Sequence, residues 1–377
     1  MTHQDAFEIQ QYLAELEFPS LYEKALQFAL FKTYGFPTMS SLLVRTRQLT
    51  ETTNATKRYA DTVLLVTELM ANPPTSPRTI ASVARINYLH DHYRSRNLIS
   101  NEDMLYTLGR FALEPISWID RYEWRQLSDM ERCAIGTFWK AIGDAMKIDY
   151  ALLPSGPAAS GTEEKNGSGW RDGLHWLDEV NAWSESYETT HMVPAESNRI
   201  TAQHTTALLL WHIPRFLKPG GERVVAALMD ERTRRAMMYP TPPRAYVSGV
   251  AWLLRVRRLV VRYCMPPRPS FLRRRDVEPE PDPRTGRYAF RQWLAHPWYV
   301  KPSWTERWGP GALWVRAFGG DVPGDQGGKY FPEGYRIEEV GPGAFRARGK
   351  GGMEEAKTAV GMALGTGDGG CPFLRMR

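Results

Sequence analysis

The chain has few cysteines, no long uncharged run and almost no strand pattern. Its three cysteines, Cys133, Cys264 and Cys371, are far apart and odd in number. They offer neither a disulfide framework nor a Cys-x-x-Cys metal site, which suits a reducing compartment. No stretch of about twenty residues is free of charge, so no transmembrane helix is expected. The N-terminal MTHQDAFEIQQYLAELEF carries acidic residues and no apolar run after a basic start, so it does not read as a signal peptide. The expected location is intracellular.

Several chemistries lack their motifs. No HExxH is present, which argues against a zinc helical site of that kind. The late glycine runs GPGAF and GTGDGG do not sit between a strand and a helix. With no GxxxxGK[ST] and no GxGxxG in a βαβ setting, nucleotide binding through those folds is not expected. A GxSxG nucleophile elbow is absent too.

What is there is mostly helix. Hydrophobic residues make up 42% and charged residues 24%, ordinary for a folded chain. Ile9–Phe31 follows a period near 3.6, with Pro19 as a break or a helix start. Thr38 or Ser40 is expected to cap a helix running through Leu49. Thr52–Met70 reads as a long helix stopped by Asn72-Pro73-Pro74. Ser76 with Pro77 opens the next helix, which stops near Asn97.

Ser100 and Asp103 resemble a capping box for Glu102–Leu113, and Pro115 is expected to break or kink that helix before Trp118–Arg125 resumes it. Ser128 with Glu131 is a full capping box for a helix to about Lys147. Residues 153–169 form a Gly/Ser/Pro-rich loop. Further helices are expected over Trp170–Tyr187, Arg199–Trp211, Glu222–Met238 and Val247–Tyr263, with Met353–Ala363 the clear candidate near the end. The fold class is therefore mainly α: a helical core over residues 1–265 and an irregular Gly/Pro-rich extension over 266–377.

Four groups of residues could carry chemistry. Helix 79–96 places His90 among Arg85, Asn87 and Arg94, with Arg94 at i+4 on the same face. A neutral imidazole there can ligate a metal, although a lone helical histidine also serves as a structural or surface residue. The upstream helix carries Arg58, Asp61 and Thr62, either as a donor-and-relay set or as a solvated face with a local ion pair. Glu114 stands before a proline amid aromatics, as an acid or base with a raised pKa or as a partner of Arg110 or Arg121.

The fourth group is the stretch from Ala245 to Arg275, which holds eight arginines and no acidic residue. Arg255, Arg258 and Arg262 stand opposite an apolar face of Trp252, Val256, Leu259 and Val260. A basic amphipathic helix over 247–263 points to peripheral membrane contact. A plain exposed helix is the other reading. No nucleic-acid partner is expected, because no recognition module accompanies the arginines.

The strings ALQFALFKTYGFPTMSSLL, TKRYADTVLL, ARINYLHDHYR, ISNEDMLYTLGRFALEP and ERCAIGTFWKAIGDAM, with LMDERTRRAMMYPTPP and KYFPEGYRIEEVGPGAF further on, resemble the fungal MpaB-type oxygenases. These are distant relatives of the bacterial latex-clearing protein, a rubber oxygenase. The resemblance runs from about Phe18 to Phe345. It implies a globin-like helical domain with haem b, acting with O2 on a hydrophobic prenyl- or isoprenoid-bearing secondary metabolite, including cleavage of a carbon–carbon double bond. It also implies a site at the endoplasmic reticulum membrane or in the cytoplasm.

The family's histidine ligand, followed four residues later by arginine, falls on His90 and Arg94, with Arg85 and Asn87 on the same helix. Its Arg-x-x-Lys-Thr set falls on Arg58, Asp61 and Thr62 as the catalytic group. Asp61 stands in the lysine's place, as a proton relay or as Arg58's partner. A haem-free helical lipid-binding or non-oxygenase biosynthetic protein is the alternative.

Overall fold

The computed structural model describes residues 1–47, 52–157, 169–345 and 350–365. Helix α1 (His3–Tyr12) opens on a capping box between Thr2 and Asp5. A π-helical stretch, Leu13–Glu17, leads to α2 (Pro19–Thr33), so Pro19 starts a helix rather than interrupting one. Helix α3 (Pro37–Arg45) is entered from Phe36, with no side-chain cap. The two expected caps lie inside it and turn elsewhere: Thr38 donates to Asp103 at 3.0 Å and Ser40 to Asn198 at 2.6 Å. The helix stops at Arg45, short of the expected Leu49, with Thr46 as its C-cap and Arg47 in the left-handed region at φ 54°; Gln48 and Leu49 lie outside the described residues.

Helix α4 spans Thr52–Ala71 and α5 spans Pro77–Arg94, the latter with Ser76 accepting from the Thr79 amide. Helix α6 (Asn101–Tyr122) runs unbroken through Pro115, against expectation. A mid-helix proline costs about 3 kcal/mol. Leu105, Leu108, Ala112, Ile116 and Ile119 form one buried stripe on both sides of it, and burying each such side chain is worth about 1.5–3 kcal/mol for the larger ones. Packing therefore outweighs the lost hydrogen bond. The box expected at its start is half made: Ser100 accepts from the Asp103 amide, but the Asp103 carboxylate instead accepts from Thr38 and Tyr187.

Helix α7 (Asp129–Ala145) has the full Ser128/Glu131 box and is buried on nearly every side. It crosses α8 (Gly173–His191) backbone to backbone. A Cβ on Gly136 would collide with the Gly173 carbonyl, and one on Gly173 with that of Cys133. Then come α9 (Glu196–Leu209), α10 (Lys218–Leu228), α11 (Glu231–Ala236) and α12 (Arg244–Cys264). The single helix expected over Glu222–Met238 is two, because Asp230 leaves the helix and caps α11 by accepting from the Thr233 amide at 2.8 Å.

Beyond α12 the chain is irregular, as its composition suggests. It adds α13 (Trp304–Trp308), α14 (Pro310–Ala317) and α15 (Lys350–Gly365). The first two are short and sit amid Gly and Pro, so no periodic signal marks them. Three isolated β-bridges join Val277 to Phe290, Tyr288 to Tyr335 and Phe290 to Val300. This stretch is packed onto the helices. Tyr299, Tyr330, Tyr335 and Val340 share a core with Leu64 and Leu65 of α4, and Val360 and Leu364 of α15 join the main core. The molecule is a mainly α single domain.

Candidate active site

An apolar cavity of about 250 Å³ lies where α4, α5, α6 and α7 converge, closed on the remaining side by α2 and α3. Helix α4 contributes Arg58, Tyr59, Thr62, Leu65, Val66 and Leu69, spaced as one helical stripe. Helix α5 contributes Ile86, Leu89 and His90; Phe111 of α6 and Trp139 of α7 add aromatic walls. A second apolar cavity, about 100 Å³, shares Leu30, Tyr59, Thr62, Val66 and Phe111 with it and extends along α2.

His90 brings an imidazole into this apolar lining. Its Nδ1 is sealed from solvent and has no hydrogen-bond partner. Burial, with the Arg58 and Arg94 cations adding to it, pushes its pKa down from 6.5 to about 4. The ring is therefore neutral near pH 7, with a lone pair to give. Across the lining, Arg58 donates through Nη1 to the Thr62 hydroxyl, which itself donates to the Arg58 carbonyl at 3.0 Å. Thr62 thus fixes the guanidinium against its own helix. Tyr34, also in the wall, is pushed up to about 12 by burial against the opposing influence of Arg58.

Asp61, Arg85, Asn87 and Arg94 are placed outside this lining. Asp61 is buried on another face of α4, paired with Lys57 at 2.7 Å and accepting from Tyr299 Oη at 2.8 Å. Position 61 lies about 100° around the helix from position 62, on the side of α4 turned toward Tyr299 of the C-terminal stretch. Arg85 is fully buried and donates to the Val340 and Phe345 carbonyls at 2.7 and 3.0 Å. Asn87 donates to the Ala145 carbonyl at 2.9 Å. Arg94 reaches the carbonyls of Met146 and Lys147 at the end of α7, at 3.5 and 3.3 Å. It shares a helix with His90 and biases the imidazole by charge. His92 packs against Phe345, away from the cavity.

The walls Tyr34, Tyr59, Phe111 and Trp139 were not among the candidates: Tyr59 adjoins Arg58 on α4, and the other three belong to no candidate group. Only the stripe spacing within each helix marks them. Lys57 at i−4 from Asp61 was a visible signal for the buried pair.

A larger cleft lies elsewhere and differs in kind. It measures about 1000 Å³ and is rich in charge. Lys32 bridges Glu188 at 3.0 Å, Asp230 at 3.1 Å and Glu114 at 3.7 Å, and Arg110 meets Glu114 at 3.5 Å. Glu114 thus takes the paired role, with Arg110 and not Arg121.

Residues 44–262 match the family described as ER-bound oxygenase mpaB/B'/Rubber oxygenase, catalytic domain. The chain belongs to this family. It is 42% identical over 375 residues to the ER-bound oxygenase mpaB' of Penicillium brevicompactum, covering 99% of this chain and 85% of that one. With the ER-bound oxygenase mpaB of the same organism it shares 40% over 334 residues, 89% of this chain and 76% of the relative. With the ER-bound oxygenase mpaB of Penicillium roqueforti (strain FM164) it shares 48% over 239 residues, 63% and 77% of the two chains. The protein is an oxygenase, hence an oxidoreductase.

The matched span of this mpaB/rubber-oxygenase domain contains α4 to α7, and so His90, Arg58 and Thr62. Among the described residues no three His, Cys, Asp or Glu side chains are grouped to hold a metal ion by themselves. A group held at His90 would therefore have to bring further ligands of its own.

Proposed function

We propose that the chain is a haem b-dependent oxygenase acting on a hydrophobic, prenyl- or isoprenoid-bearing secondary metabolite, with oxidative cleavage of a carbon–carbon double bond as the reaction. The observation that carries this reading is His90: a neutral imidazole, one nitrogen orphaned, set in an apolar cavity beside a fixed guanidinium. Those residues fit a haem, which needs one neutral axial nitrogen and apolar walls. His90 would hold the iron, and the bound haem would supply the activation of O2.

The chain's own residues do the rest. Apolar walls from Leu65, Leu69, Phe111 and Ile142 exclude water, which strengthens every charge interaction inside. Arg58 would offer N–H donors to an oxygen-bearing group held in the cavity, and Thr62 keeps the guanidinium in place. The adjoining cavity along α2 gives a long apolar substrate somewhere to lie.

The absorption spectrum of the purified, haem-supplied protein tests this. A Soret band that His90→Ala removes is the expected outcome. Folded protein with no Soret band, or His90→Ala binding haem unchanged, overturns the assignment and favours a haem-free helical lipid-binding protein using the same cavity.

A further inference from the structure

Helix α12 is attached to the body along one side only, and no residue of it is buried. Tyr246, Val250, Leu254, Arg257 and Val261 turn toward the protein and are half-buried. Arg257 ties the helix down through Glu123, whose carboxylate lies 2.7 Å away and is almost fully buried. Trp252, Leu259 and Tyr263, at i, i+7 and i+11, point outward at 64%, 49% and 72% exposure. Leu253 and Val260 widen that stripe and are exposed as well.

Beside the apolar stripe runs a basic one of Arg244, Arg255, Arg258 and Arg262. Among the described residues, no ion pair engages Arg244, Arg255 or Arg258. Phe216, in the turn before the α10 helix that packs on α12, and Phe271, in the turn after α12, are exposed at 81% and 83%.

We propose that α12 docks this protein on the surface of an anionic membrane, lying in the headgroup plane with Trp252, Leu259 and Tyr263 turned into the acyl region. An isolated exposed leucine needs no explanation; a continuous aromatic and aliphatic stripe over about three helical turns does. Trp and Tyr favour the membrane–water boundary, and a row of arginines beside them matches phosphate headgroups. The charge of this stretch selects the occupant: with no acidic residue from Ala245 to Arg275, it complements a negative surface. Among the described residues, no helix is long and apolar enough to cross a membrane, so α12 lies on the bilayer rather than in it.

Flotation of the full chain with vesicles of phosphatidylcholine alone, or of phosphatidylcholine with phosphatidylserine, tests this, with light scattering alongside. The expected result is binding that prefers the phosphatidylserine vesicles and weakens with salt. Trp252→Asp with Leu259→Asp should weaken it by about tenfold or more while helicity by circular dichroism is unchanged. Arg244→Glu with Arg255→Glu, both on solvent-facing positions, should abolish the preference for the anionic vesicles. Failure of the wild-type chain to float with either vesicle overturns the proposal. So does unchanged binding by both variants. A wild-type dimer that Trp252→Asp/Leu259→Asp dissolves also overturns it and assigns the stripe to self-association.

Discussion

On one side of α4, Arg58 and Thr62 border an apolar cavity; on another, Lys57 and Asp61 bury a charge pair against Tyr299 of the C-terminal stretch. The four residues fall within two turns. Both faces use a basic residue and an oxygen acceptor at i, i+4, yet the surroundings give them opposite roles. At Asp61 every charge is answered, by Lys57 at 2.7 Å and by the Tyr299 hydroxyl, and Lys57 also donates to the Gly341 carbonyl at 2.9 Å. That face fastens the extension to the helix. At Arg58 the side-chain hydrogen bond goes to a neutral hydroxyl, so positive charge is left over for the cavity. A site for chemistry keeps unspent electrostatics; a structural contact consumes them.

The comparison can be broken first at Asp61. Asp61→Ala removes the carboxylate that balances the partly buried Lys57 ammonium and accepts from the Tyr299 phenol, and should lower unfolding stability by about 3–5 kcal/mol in urea titrations. The Soret band of the surviving folded protein should be unchanged. If the band is lost while stability holds, Asp61 belongs to the cavity after all.

A smaller effect comes from pH. The folded His90 pKa, about 4, lies below the unfolded 6.5, so the unfolded chain takes up this proton first on acidification. The stabilising contribution is complete above pH 6.5 and is lost as pH falls toward 4, up to about 3 kcal/mol. Denaturation midpoints measured across that window should flatten in His90→Leu.

The cavity face gives the next effects. In the haem-loaded protein, Arg58→Ala should weaken azide binding by about a hundredfold, read from Soret titration, because it removes a charge-assisted donor. Thr62→Val keeps the guanidinium but frees it to wander, so its effect should be about tenfold or less. Equal effects from the two would mean that Thr62 touches the ligand directly instead of steadying Arg58.

Much of this was legible in the linear chain. Ser76-Pro77, Ser128 with Glu131 and the stop at Asn72-Pro73 are local signals, and local chemistry settles them. Pro115 was misleading because its cost is local while the buried stripe that outweighs it depends on neighbouring helices. The site divided in the same way. His90, Arg58 and Thr62 share the cavity as the spacing allowed. Arg85, Asn87 and Arg94, equally suggestive on paper, are engaged by carbonyls of Val340, Ala145 and Met146.

The amino-acid sequence alone determined that the protein is helical, where most helices start, and that a stretch from Ala245 to Arg275 is basic without relief. Helical period and capping act over a few residues, so they need no fold to be read. Which side of α4 faces a cavity, and which side holds the C-terminal stretch, was decided only by tertiary structure. Tyr299, which donates to Asp61, and Val340, whose carbonyl holds Arg85, lie more than 200 residues from them, and no local rule reaches that far.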